Sequence, residues 1–215
     1  MTKLEQADRQ AGRPGRPRSE AKRQAILEEA GRLFLAHGPG STSMDAVAEA
    51  AGVSKQTVYS HFGDKENLFV ACIEHKVSSH QLAETVDPGQ ATVGEALTLI
   101  ATRYMSLFSD PDVAAMMRVV IATSAGNQDI PRLFEESGPA PSLGALARVL
   151  EAYAAAGALD IRHAGEAAEV FTALIRGEWH RRLLMNLIEP PEPEEQKRRV
   201  RDVVKQFLAI YEPRP

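Results

Sequence analysis

Two short segments joined through one glycine constrain this chain more than any other feature of it. Met44 to Ala51 and Ser54 to His61 each carry apolar residues on a helical spacing, and Gly52 stands between them. Two short helices crossing near a right angle need a small residue at their closest approach, a left-handed backbone residue in the turn, and apolar side chains aimed into the joint. Ala48, Gly52 and the set Val47, Val53, Val58 and Phe62 meet those needs in order. The pattern predicts a helix-turn-helix, whose second helix can lie in a DNA major groove; a structural corner with no DNA role has the same geometry.

The rest of the chain is patterned for helix as well. Ser19 is placed to cap a first helix, in which Ile26, Ala30, Leu33, Phe34 and His37 recur at helical spacing until Gly38-Pro39-Gly40 stops the run. Asp64 caps a long helix expected to reach about Val86, where Asp87-Pro88-Gly89 breaks it. Thr92 to Phe108, Val113 to Ser124 and Leu143 to Ala156 follow, with a short turn around Ile130 to Glu136 and Gly157 as a C-terminal cap. Ala164 to Ile188 is apolar on more than one side, and Val200, Val203, Val204, Phe207, Leu208 and Tyr211 mark an amphipathic final helix. No segment reads as a convincing strand. The expected fold class is all-α, with nine or ten helices, divided into a flexible arm at 1–18, a helix-turn-helix domain at 19–64 and a second helical domain at 65–215.

Charge is unevenly placed. The 215 residues carry a formal net charge of −4, so any affinity for nucleic acid must be local. From residue 9 to residue 23 stand Arg9, Arg13, Arg16, Arg18, Lys22 and Arg23, opposed only by Glu20, and the Gly and Pro of residues 11–18 argue against helix there. This reads as a basic arm that supplies phosphate contacts or reaches a minor groove, or else as a solvated tail. With 44% hydrophobic and 25% charged residues the chain has the composition of a globular protein. It has one cysteine, Cys72, and hence no disulfide framework, and no signal-like or membrane-spanning apolar run, so a cytoplasmic protein is expected. The six histidines lack the spacing of a metal site, no nucleophile elbow or phosphate-binding glycine loop occurs, and Cys72 shares an apolar helical face with Phe69 and Ile73. No metal, no cofactor and no enzyme activity are expected.

Thr42-Ser43-Met44 through Ala48, the turn Ala51-Gly52-Val53-Ser54, and Thr57-Val58-Tyr59-Ser60-His61-Phe62 with Asp64-Lys65-Glu66-Asn67-Leu68 closely resemble the DNA-binding domain of TetR-family transcriptional repressors over about residues 19–70. A weaker likeness through Met117-Arg118, Ile130-Pro131-Arg132-Leu133-Phe134, Gly157 and Val203 to Phe207 resembles the C-terminal domain of the AefR-like subgroup. On both the residues and the resemblance, Lys55, Gln56 and Thr57 at the exposed start of the second short helix, capped by Ser54, are the base-reading candidates, with Gln56 able to make a bidentate contact to adenine. The resemblance gives Tyr59, His61 and Lys65 phosphate contacts. Thr42 or Ser43, at a helix N-terminus, and Arg16 and Arg18 of the arm join them. The Tyr59 ring can instead pack in the joint, and His61 can serve as a cap.

The resemblance further implies an inducer pocket in residues 65–215. Met105, Phe108, Met117, Phe134, Phe171, Ile175 and Trp179 are its candidate walls, with ordinary core as the alternative for each, and Arg103, Arg118, Arg176 and His180 are polar groups able to orient a ligand. On the helix from Ala164, the side carrying Val170, Leu174, Gly177, Arg181, Leu184 and Ile188, with Val204 and Phe207 of the final helix, is expected to meet a second copy, Gly177 allowing close approach; both sides can instead be buried in one subunit. The expected function is a homodimeric regulator, a repressor that binds a palindromic operator in double-stranded DNA and is released by a small-molecule inducer. The alternative is an architectural or cooperative DNA-binding protein whose second domain only dimerises.

Overall fold

The computed structural model describes residues 16–80, 82, 89–126 and 128–213; of Arg16, Pro17 and Arg18 it describes the backbone alone. The basic residues before Gly15 and the expected helix end at Val86 lie outside the described residues. Among those described there are ten α-helices and no strand. They are α1 (Arg16–Ser41), α2 (Met44–Ala50), α3 (Lys55–Phe62), α4 (Lys65–Ser79), α5 (Val93–Ser109), α6 (Pro111–Thr123), α7 (Asp129–Ser137), α8 (Pro139–Ala155), α9 (Ala164–Leu184) and α10 (Pro193–Tyr211).

Caps account for most of the boundaries. Ser43, Ser54 and Asp64 each accept a hydrogen bond from the backbone three residues on, at 3.1, 3.2 and 2.8 Å. Thr92 and Glu95 close a reciprocal capping box at the start of α5. Prolines explain where sequence expectation and structure part. Pro17 sits in the first turn of α1, so the helix is under way before Ser19, which is not its cap. Pro139 and Pro141 lie in the first turn of α8, a helix expected to begin only at Leu143. A proline costs a helix little there, because first-turn N–H groups have no helical acceptor in any case. Helix α4 stops at Ser79, short of the expected Val86, with His80 as its C-cap.

Two apolar cores result. The first joins α1 to α4: Ile26, Phe34, Val47, Val58, Leu68 and Phe69 are almost wholly buried, and the Phe34 and Phe69 rings meet edge to face at 5.5 Å. His37, on the same spacing in α1, is exposed. The second core joins α5, α8, α9 and α10, with Phe171 against Phe207 at 4.9 Å. Helices α6 and α7 lie between the two. Val120 of α6 is buried in the first core and Ala114 in the second, while Leu133 and Phe134 of α7 pack on the first. Gly138, between α7 and α8, sits so close to α4 that an added Cβ would lie 3.0 Å from the Ile73 side chain.

Candidate nucleic-acid interface and ligand cavity

The α2–α3 corner has the expected construction. Gly52 takes the left-handed conformation at φ +64°, and Val53 N–H returns to the Ala48 carbonyl at 3.0 Å. With Val47, Ala48, Val58 and Phe62 buried in the joint, the other side of α3 faces outward: Lys55, Gln56 and Tyr59 are exposed and Thr57 half-buried. Ser54 and Thr57 share a hydroxyl hydrogen bond at 2.8 Å. Lys55 is already engaged, its Nζ 2.9 Å from the Asp45 carboxylate of α2 and its ammonium 5.9 Å from the centre of the Tyr59 ring. The hydrogen bond and charge of Asp45 raise the pKa of Lys55. Asp45 is a participant that the sequence reading passed over; only the fold brings it to Lys55.

The flanking positions divide. Ser43 is exposed and caps α2. Thr42 is buried, its hydroxyl donating to the Gly38 carbonyl at 2.9 Å, so it ties α1 to α2 from inside and has no surface to offer a phosphate. Lys65 is half-buried and donates to the Gly40 carbonyl at 3.2 Å. His61 is half-buried beside Phe62, with ring centres 6.0 Å apart.

Behind this corner a cavity of about 1120 Å³ opens between the two cores. Leu27 and Gly31 of α1, and Ile73 and Lys76 of α4, form one side; Tyr104, Phe108, Met117 and Phe134 belong to the other helices. Of the candidate ligand residues, Phe108, Met117 and Phe134 line it. Met105, Phe171, Ile175 and Trp179 do not; they are buried in the second core. The Trp179 indole N–H donates to the Ile175 carbonyl at 2.9 Å, so its need for a partner is met within α9. Arg176 and His180 line the cavity as well, on either side of a break at Gly177 (φ 48°, ψ −162°). Cys72 also reaches the wall; burial pushes its thiol up to about 12, which leaves it protonated and unreactive.

That break also revises the expected dimer seam. Gly177 is not a helical position where another helix approaches; it is a non-helical kink, so an ideal helical register cannot be carried across it. Val170, Leu174, Leu184 and Ile188 are half-buried and Arg181 is exposed, paired with Glu178. Phe207 is wholly buried and Val204 nearly so in their own subunit's core, which leaves Phe207 nothing to present to a second copy.

Fold and site together define a helix-turn-helix regulator: its described residues are helical, with an outward-facing second helix and a cavity behind it. Residues 26–72 match the sequence profile of the bacterial regulatory proteins of the tetR family, and residues 95–213 match that of the AefR-like transcriptional repressor C-terminal domain. The HTH-type transcriptional repressor AcnR of Corynebacterium glutamicum is 42% identical over 64 residues, 30% of this chain and 33% of that one. The HTH-type transcriptional regulator AcrR of Shigella flexneri is 47% identical over 51 residues, 24% of either chain. The aligned stretch therefore spans about a third or less of these curated relatives. Among solved structures, the flavonoid-responsive regulator FrrA is 35% identical, with 91% of this chain and 100% of that chain covered and a TM-score of 0.74. A TetR transcriptional regulator from Agrobacterium tumefaciens is 26% identical, with 88% and 94% covered and a TM-score of 0.72. The chain belongs to the TetR family of DNA-binding transcriptional regulators.

Proposed function

We propose that this protein is a homodimeric repressor acting in the cytoplasm, which holds a palindromic operator through α3 and releases it when a small molecule occupies the cavity. One observation carries the reading: the cavity wall is shared between α1 and α4, which belong to the DNA-facing core, and the helices of the second core. An occupant therefore touches both, and has a different fit for each arrangement of one core on the other. Two copies of α3 must sit about 34–36 Å apart to enter successive major grooves of a palindrome. A ligand that prefers another spacing weakens operator binding by its differential affinity for the two states. FrrA, alike over nearly the whole chain, is described as flavonoid-responsive, which supports a ligand-responsive reading here. In this proposal 19–64 is the DNA-reading unit, and α4, the first helix of 65–215, couples it to the rest of that unit. Lys55, Gln56 and Thr57 read bases, and Ser43, Tyr59, His61 and Lys65 position the backbone, with the start of α1 approaching phosphate.

The test has two stages. Genomic fragments captured by the purified protein should share an inverted repeat, and fluorescence anisotropy should show two subunits per site. A panel of apolar small molecules, flavonoids among them, is then titrated against the complex. Release by one of them supports the proposal; capture with no shared repeat overturns operator recognition, and a complex indifferent to every compound that binds the free protein overturns the inducer role.

A further inference from the structure

Within the cavity, the polar groups of α9 are arranged along one stripe: Glu169, Thr172, Arg176 and His180 all line it, and the kink at Gly177 lies inside that run. Their states differ. Thr172 donates its hydroxyl to the Glu169 carbonyl at 3.0 Å. His180 is 8% exposed, and neither ring nitrogen has a hydrogen-bond partner among the described residues; it makes ring contacts with Phe108 at 5.2 Å and Trp179 at 5.6 Å. Because His180 lines the cavity, its ring N–H can donate to a group placed there. Beside it, the Arg176 guanidinium lies 5.0 Å from the centre of the same Phe108 ring.

The other cations of the cavity wall are already neutralised. Lys76 is held by Asp110 and Asp112 at 2.8 and 3.1 Å, and Arg32 by Glu29 at 2.8 Å. Arg176, which is exposed, has no carboxylate partner among the described residues, although Glu169 stands two turns away on the same stripe. Its guanidinium can offer two parallel donors to a carboxylate. Glu169 repels an acid placed near it, which directs an anionic group towards the His180 end. Away from that end Met116, Met117 and Phe134 give the wall an apolar, adaptable stretch.

We propose that the cavity takes a carboxylate on a large apolar body, the carboxylate held between the Arg176 guanidinium and a ring N–H of His180, and the body lying towards Met116, Met117 and Phe134. This rests on the reading of the cavity as the inducer site. A neutral ligand offers the Arg176 guanidinium no opposite charge; an acid engages Arg176 and His180 together. Aromatic and aliphatic acids share this chemistry.

The experiment is calorimetric titration of the full chain with biphenylcarboxylate and with decanoate, each beside its own carboxamide. At least one acid should bind about 10- to 100-fold more tightly than its amide, the difference expected of a charge-assisted hydrogen bond. Whichever acid binds tells an aromatic from an aliphatic body. Arg176→Gln should abolish the preference for the acid while the amide still binds, which shows the cavity intact, and Arg176→Lys should restore part of it. His180→Phe should lower the acid's affinity and leave the amide's unchanged. Equal binding of acid and amide, or a preference that survives Arg176→Gln, overturns the anchor while the cavity reading stands. Binding of none of the four overturns both.

Discussion

Lys55 and Asp45 show that even an exposed side chain of α3 has a partner within its own chain. Their ammonium and carboxylate lie 2.9 Å apart, on an exposed surface where such a pair adds little to stability. Asp45→Asn should therefore leave the melting temperature nearly unchanged, but tighten binding to the preferred operator more than to unrelated DNA, because Lys55 is then released to meet a base edge. Anisotropy titrations on both DNAs measure it; an equal gain on every sequence would mean that Lys55 does not read a base. Gln56 makes no such pair, and Gln56→Ala should lose about 1–3 kcal/mol on the preferred operator and relax the preference at one base position. A loss of equal size on every sequence would remove Gln56 from base reading. His180 titrates far from its ordinary range: burial, and then the nearby charge of Arg176, push it down from 6.5 to about 4. In the unfolded chain it takes up a proton below about 6.5, whereas in the folded chain it resists until about 4. The unfolded state thus binds more protons in that window, and stability must fall as pH drops through it. His180→Asn should flatten the dependence of urea stability on pH between those values; an identical slope in the variant would show that the ring titrates normally.

At the scale of elements, the instructive one is α4, which begins against the DNA-facing core and ends against the second. Its last turn is fastened to the α5–α6 junction, where Asp110 accepts from Lys76 at 2.8 Å and from the first backbone N–H groups of α6, while His80 Nε2 stands 3.3 Å from the same carboxylate. Burial opposes ionisation of Asp110, but Lys76 and those N–H groups outweigh it and hold its pKa below the usual carboxylate value. A carboxylate depressed in the folded state stabilises above its unfolded pKa, and that contribution disappears as pH falls through the folded one. Asp110→Asn keeps a capping side chain and removes the charge. It should cost about 1 kcal/mol at neutral pH, speed hydrogen exchange in the last turn of α4, and match the wild type once the pH is below the carboxylate range. A gap that persists in acid would trace the effect to the cap and not to the ion pair. The ends of α1 and α8 were the least legible elements, because proline is a breaker inside a helix and a neutral residue in its first turn; which applies depends on where the preceding chain runs.

For the molecule as a whole, the open question is what covers the half-buried apolar side of α9. Val170, Leu174, Leu184 and Ile188 each pack partly on their own core and leave surface over. Gly177→Arg would test that face poorly, because any side chain at φ +48° is strained before a partner is considered. Leu174→Arg is the better probe. It should give monomers by sedimentation, with helical circular dichroism retained and tight binding to an inverted repeat lost, since each half-site contact would then have to form on its own. A dimer of unchanged strength would place the interface away from this side of α9.

The corner from Met44 to Phe62 was legible down to single residues because every rule it obeys is local: caps act over three residues, Gly52 answers to its own φ, and the apolar spacing needs only a neighbouring helix. The exposed side of α3 followed from the same spacing. What lies between the cores was not legible. Trp179 satisfies its indole on its own helix, while Arg176 and His180, one turn apart in sequence, both lie against Phe108 of α5. Whether a glycine in a helical stretch is a close contact or a kink depends on what packs around it, and so does which buried aromatic borders a space and which fills one. Local chemistry wrote the helices and their caps; only the packing of one core on the other decided where the cavity opens and which side chains face it.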